Sequence, residues 1–161
     1  KQMQSLLKES PENLQLRMYA GEVEISRKRW AEAIANYEVV IAQQPANALA
    51  LNNAAWALHE VMDHKALAYA DKAAAAAPQA PAVLDTLGVI LTQTSDTARA
   101  VQVLKKAVSL APKTAQFRLH LAEAMIKAGD RAGARQELDA LLSEAPQGPL
   151  SEQVRELQKR I

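Results

Sequence analysis

Prolines stand at 11, 45, 78, 81, 112, 146 and 149, and with Pro81 and Pro149 set aside the intervals are 34, 33, 34 and 34 residues. Proline has no amide hydrogen and crowds the carbonyl four residues back, so it marks where helices stop. An even spacing of prolines is therefore an even spacing of helix ends, and few folds can carry it. Other columns keep the same register. Ala33, Ala66, Ala100 and Ala134 stand twelve residues before successive prolines, and Tyr37, Ala70, Leu104 and Leu138 stand eight before. Gly21, Ala54, Gly88 and Ala122 stand twenty-four before. Small residues recur where two helices must cross closely, and larger apolar ones where they interlock. The stretch "ADKAAAAAPQAP", residues 70–81, looks like a linker in isolation, yet the columns hold register across it. It reads as the last two turns of a helix and the turn that follows.

Composition agrees with a helical repeat. Hydrophobic residues make up 49% of the 161, only 4% are aromatic, and the five glycines are too few for a chain full of tight β-turns. Alanine, heavily used here, is the best helix former and allows close helix approach. A net charge of +1, from 19 basic and 18 acidic residues interspersed, gives no reason to expect nucleic acid or an acidic membrane surface as partner. The chain contains no cysteine, which excludes disulfides and thiolate chemistry without fixing the compartment. No apolar run reaches the roughly 18 to 20 residues of a membrane span. The opening "KQMQSLLKES" has neither an initiator Met nor a signal-like region, so the reading expects a fragment of a longer protein.

The register divides the chain into residues 1–13, the remnant of a preceding repeat; four repeats at 14–47, 48–80, 81–114 and 115–148; and a C-terminal helix at 149–161. Each repeat is expected to hold two antiparallel helices, near 12–27 and 30–43 in the first and near 81–93 and 97–110 in the third. "SDTARAV" and "AGDRAGA" supply the inner turns of repeats three and four, each with an Asp placed to cap the second helix. The residue missing from repeat two falls near "EVMDHKA", which predicts a tighter inner turn there.

"RKRWAEAIANYEVVIAQQP" and "LDTLGVILTQTSDTARAVQVLKKAVSLAP" resemble the tetratricopeptide repeat (TPR) consensus, and the likeness extends over nearly the whole chain. It departs from that pattern where Arg17 and Arg118 take a position often filled by Trp or Leu. The order "ALNNAAWALHE", "APAVLDTLGVIL", "FRLHLAEAMIKAGDRAGARQELDALL" resembles more narrowly the C-terminal repeats of the TPR lipoproteins that accompany the PEP-CTERM/exosortase sorting system of Gram-negative bacteria. The resemblance implies an all-α fold, a right-handed TPR superhelix (α-solenoid) of antiparallel helix pairs.

No constellation for catalysis stands out. Gly-rich phosphate loops and nucleophile elbows are missing from the sequence. His59 and His64 are five apart and do not share a helical face, and with His120 they read as solvated or capping groups rather than metal ligands. Glu22 with Glu24, and Asp139 with Glu144, sit among compensating Lys and Arg and read as a solvated face. No cofactor is expected.

Binding is the better reading. Stacked hairpins of this kind curl so that their first helices line an extended concave surface. Carried over from the family frame, the inward positions include Met18, Tyr19 and Glu22 in repeat one, and Asn52, Asn53, Trp56 and Glu60 in repeat two. Repeat three contributes Asp85, Thr86 and Val89, and repeat four His120 and Glu123. Asn52 and Asn53 could hold the backbone of an extended peptide, and Trp56 reads either as an interface anchor or as packing against the neighbouring helix. Some members grip C-terminal carboxylates with Lys, Asn and Arg over three repeats. Asn53 matches one such position, but Met18, Glu22, Ala82 and Thr86 occupy the others, so such a clamp is not implied. Glu22, Glu60, Asp85 and Glu123 suit a neutral or basic segment instead.

In "PLSEQVRELQKRI" the apolar Leu150, Val154, Leu157 and Ile161 form one stripe, with Ser151, Glu152, Arg155, Glu156 and Lys159 elsewhere. The stripe reads as a cap over repeat four or, because it falls on the inward positions, as a face for a partner or a second copy of the chain. The resulting expectation is a non-catalytic protein-interaction scaffold that binds a protein or peptide and no nucleic acid, with a homodimer through exposed terminal helices as an option. By the resemblance its parent is a periplasmic protein of the PEP-CTERM/exopolysaccharide system, held to the membrane by an N-terminal lipid anchor that these residues lack. The alternatives are a cytoplasmic TPR adaptor or co-chaperone, and a purely structural spacer or oligomerisation module.

Overall fold

The computed structural model describes residues 2–144 and 147–161, with side chains from Ser5 onward. Among the described residues all regular structure is α-helical: α1 (Gln2–Glu9), α2 (Leu14–Ser26), α3 (Trp30–Gln43), α4 (Ala48–Glu60), α5 (Ala66–Ala76), α6 (Pro81–Thr92), α7 (Thr97–Leu110), α8 (Ala115–Lys127), α9 (Arg131–Glu144) and α10 (Pro149–Gln158). Helices α1, α3, α5 and α7 each stop two residues before a proline, at Pro11, Pro45, Pro78 and Pro112. Pro146, the last mark of the series, lies outside the described residues. Pro81 and Pro149, off the series, are the first residues of α6 and α10, where a missing amide hydrogen would have had no helical partner anyway.

Local chemistry sets the other ends. Helices α3 and α7 run over the expected 30–43 and 97–110, whereas α2 begins at Leu14 because Asn13 takes the capping position. Its side-chain oxygen accepts from the Leu16 amide at 3.0 Å, and Asn47 does the same for Ala50 at 3.0 Å. Asp96 accepts from the Arg99 amide at 3.3 Å and Asp130 from that of Gly133 at 2.9 Å. Helices α2, α4 and α8 close alike. Lys28 (φ 56°), Met62 (φ 59°) and Gly129 (φ 87°) turn left-handed. The following amides of Arg29, Asp63 and Asp130 then reach back to the carbonyls of Glu24, Leu58 and Met125 at 2.8–2.9 Å.

The inner turn of repeat two is not tighter; residues 61–65 make it longer than the links at 27–29 and 128–130. The missing residue is taken from the helix instead. Helix α5 starts at Ala66, on the column twelve before the proline, while α3 and α7 start three residues earlier in the same frame. Asp63 fills the gap with a local turn, its carboxylate accepting from the Lys65 amide at 2.8 Å and its carbonyl from that of Ala66 at 3.1 Å.

The chain forms two compact units, one running to Pro78 and one starting at Gln79. In the first, the hairpins α2–α3 and α4–α5 join through α3 on α4, and α1 lies on α2. Ala33, Tyr37, Val40, Ala50, Ala54 and Ala57 are its buried centre. In the second, α6–α7 and α8–α9 join through α7 on α8 and α6 on α8, and α10 covers α9. Leu87, Leu104, Leu119, Ala122, Leu138 and Val154 are buried there.

The columns of small and large residues meet in space. A methyl group on Gly21 would lie 2.5 Å from Cζ of Tyr37, and one on Gly88 would run into the side chain of Leu104. The two arginines off the consensus also have an account. Arg17 Nη1 donates to Oδ1 of Asn36 at 3.1 Å, while Arg118 donates to Glu137 at 3.1 Å and to Glu144 at 2.8 Å. Each arginine ties the first helix of its hairpin to the second. Repeats two and three place apolar pairs at the equivalent positions, Leu51 with Tyr69 and Leu84 with Val103.

Candidate functional site

In the first unit, α2 presents Tyr19 and Glu22 to solvent, with Tyr19 57% exposed, and α4 presents Leu49, 54% exposed, and Glu60. Met18, also expected on this face, is half-buried and packs against the core. Trp56 is half-buried, its ring centroid 5.7 Å from that of His59. Asn52 and Asn53 are neither idle nor fully satisfied. Asn53 Nδ2 donates to the Tyr37 hydroxyl at 3.3 Å, and Asn52 Nδ2 leans on Asn53 Oδ1 at 3.4 Å. Oδ1 of Asn52 is left buried without a hydrogen-bond partner. Burial pushes the Tyr37 phenol up to about 12, against the hydrogen bond from Asn53 and with the charge of Glu22 adding to the rise.

The same unit corrects one expectation. Glu24 is not on a solvated face: its side chain is 12% exposed and makes charge contacts with Arg29 at 3.5 Å and Arg27 at 3.8 Å. Glu144, in the second unit, does stay 62% exposed while it pairs with Arg118.

The second unit holds an ion pair that the histidine reading missed. His120 on α8 is neither solvated nor a cap. Its Nδ1 donates to Asp85 on α6, 2.8 Å from Oδ1 and 3.0 Å from Oδ2, and its Nε2 faces the side-chain nitrogen of Gln116 at 2.9 Å. Burial works against the imidazolium, but the hydrogen bond to Asp85 and the charges of Asp85 and Glu123 outweigh it and hold His120 above its ordinary value. Asp85 and Thr86 are themselves buried, and the Thr86 hydroxyl donates to the Ala82 carbonyl at 3.1 Å. Val89 is half-buried. The signal was present in the sequence as an acid and a histidine on inward positions of successive first helices.

Helix α10 buries Val154 and Leu157, so its apolar stripe is used inside the unit. Ser151, expected with the polar residues, is also buried (1% exposed), its hydroxyl donating to the Gly148 carbonyl at 2.7 Å. Between α8 and α10 a cleft of about 650 Å³ is left, with Leu119 and Leu157 on its apolar part and Glu123, Glu152, Glu156 and Arg160 around it. Burial raises the Glu123 carboxyl above its usual range; the charges of His120 and Arg160 oppose the rise, and that of Asp85 adds to it. Among the described residues no group of three or more His, Asp or Glu is placed to hold a metal, and no helix is long and apolar enough to cross a membrane.

Two family models, both of the tetratricopeptide repeat, match residues 1–48 and 91–161, together more than half of the sequence. The chain belongs to the tetratricopeptide-repeat family. A TPR repeat-containing protein of Pseudomonas aeruginosa is 42% identical over 59 residues, which are 37% of this chain and 24% of that protein. The TPR chain thus spans about a quarter of that relative. A tetratricopeptide repeat protein from Parabacteroides merdae has the same fold, with a TM-score of 0.82 at 21% identity over 98% of this chain and 64% of that one. So does YrrB, described as a TPR protein with an unusual peptide-binding site, with a TM-score of 0.77 at 16% identity over 96% and 80%. The TPR fold is typically a non-catalytic scaffold for protein contacts.

Proposed function

We propose that this TPR chain is a non-catalytic scaffold that holds a peptide or protein segment against the faces of α2 and α4. One observation carries the reading: neighbouring first helices expose Tyr19 and Leu49, while Asn52 beside them keeps a carbonyl oxygen with no hydrogen-bond partner. Exposed aromatic and apolar side chains favour a partner's burial, and a rotated Asn52 amide can accept from the backbone of an extended segment. The peptide-binding site named for YrrB, a protein of the same fold, supports the reading. The sequence likeness to PEP-CTERM lipoproteins supports the finer one, in which the parent protein is lipid-anchored in the periplasm and serves surface-protein sorting with exopolysaccharide assembly.

Selection of random dodecapeptides displayed on phage against the chain tests the scaffold. Selected peptides should shift amide resonances in α2 and α4, and Tyr19→Ala with Asn52→Ala should abolish binding while helical content is kept. Asn53→Ala is the poorer choice, because it strips the buried Tyr37 hydroxyl of its donor. Peptides that bind the double variant as well as the parent chain defeat the proposal. Mass spectrometry of the mature N-terminus of the native protein tests the envelope reading, which an unlipidated, unprocessed chain overturns.

A further inference from the structure

The α8–α10 cleft has a chemistry distinct from the α2 and α4 faces, and it lies wholly within the second unit. Among its described lining residues three glutamates, Glu123, Glu152 and Glu156, stand with Arg160, and the His120 imidazolium also acts on Glu123. Glu156 pairs with Lys159 at 2.5 Å on its own helix, but neither Glu123 nor Glu152 has a hydrogen bond or ion pair among the described residues. Leu119 and Leu157 give it an apolar part, and at about 650 Å³ it has room for more than one side chain. Burial and the Asp85 charge raise the Glu123 carboxyl, while His120 and Arg160 oppose the rise.

We propose that the α8–α10 cleft docks a basic, amphipathic peptide segment, with a Lys or Arg entering between Glu123 and Glu152 and an aliphatic neighbour against Leu119 and Leu157. The proposal rests on the scaffold reading and gives it a second, charge-selective station. The net excess of carboxylates favours a cation over an anion, and the apolar part separates a peptide from a bare polyamine. Arg160 is the cleft's own occupant of cationic type, so it competes with the incoming charge.

The probe is a fluorescein-labelled peptide of four Lys-Leu-Gly triplets, with four Glu-Leu-Gly triplets as its counterpart, followed by fluorescence anisotropy on the whole chain. The basic peptide should bind and the acidic one should not, with affinity falling as salt rises from about 50 mM to about 500 mM. Glu123→Gln with Glu152→Gln should weaken binding at least about threefold, and Arg160→Gln should tighten it about two- to fivefold, as expected for partly solvated charges. Amide shifts should centre on α8 and α10. Equal binding of the acidic peptide, no response to the glutamate pair, or shifts elsewhere overturns the proposal. If the basic peptide does not bind while phage-selected peptides still shift α2 and α4, the cleft proposal alone falls. If neither binds, the scaffold reading falls with it.

Discussion

The close pairing of Gly88 with Leu104 makes a quantitative prediction. Gly88→Ala adds a methyl group where the Leu104 side chain already stands. Overpacking of a filled core costs about 1–3 kcal/mol. The same change raises helix propensity by roughly 1 kcal/mol, so the net effect should lie between about zero and 2 kcal/mol of destabilisation. Leu104→Ala alone opens a cavity at a fully buried site and should cost about 2–5 kcal/mol. The double variant removes the clash along with the leucine, so it should be more stable than the sum of the two by about 1–3 kcal/mol. Repeat two already carries small residues at both positions, Ala55 in the frame that aligns Leu51 with Arg17, and Ala70. Both tryptophans, Trp30 and Trp56, precede Pro78, so fluorescence reports the first unit and native-state hydrogen exchange of α6 and α7 amides is the better assay for this one. Additivity within about 0.5 kcal/mol would show that the two residues do not meet as described, and a gain of about 1 kcal/mol from Gly88→Ala alone would show that Leu104 yields freely.

Met62→Gly relieves a left-handed residue of the ordinary L type (φ 59°) and should stabilise by about 1 kcal/mol in urea unfolding, whereas Gly129→Ala (φ 87°) should lose a similar amount. His120 binds its proton more tightly in the folded chain than at its ordinary 6.5, so the stability it contributes is fully present below that value and is lost as pH rises through the raised one. Asp85→Asn should lower the His120 titration midpoint in NMR and flatten the fall in urea midpoint as pH rises above the ordinary 6.5. Leu157→Asp, at a buried position of α10, should cost about 3 kcal/mol or more and uncover α9, read as early exchange of the α9 amides.

Many helix ends were legible because proline and the capping side chains act locally; Asp96 and Asp130 need nothing beyond the next three residues to do their work. The late start of α5 was not, since a deletion can be absorbed by a link or by a helix end, and only the fixed place of Ala66 against the core decides between them. Burial of Ser151 escaped the amphipathic pattern because a hydroxyl that donates to its own Gly148 carbonyl behaves as a small apolar group. The Asp85–His120 bond joins residues 35 apart, and a list of inward positions does not say which of them face each other. The surface of α2 and α4 was legible in residue type, but the engagement of Asn53 with Tyr37 depended on a contact sixteen residues away.

A chain built from near-interchangeable alanine faces must tell its own hairpins apart while it folds. Arg17 and Arg118 supply an answer that the apolar columns do not. If another second helix were to take the place of α9 beside α8, the Arg118 guanidinium would lose Glu137 and Glu144 and be covered without an anion. Mispaired hairpins and exchanged helices, the usual errors of repeat proteins, therefore cost Arg118 its anions and Arg17 its bond to Asn36, a penalty that Leu51 and Leu84 could not impose. Arg17→Leu and Arg118→Leu chains could then be more stable at equilibrium and yet refold less faithfully, trapping dimers that share helices.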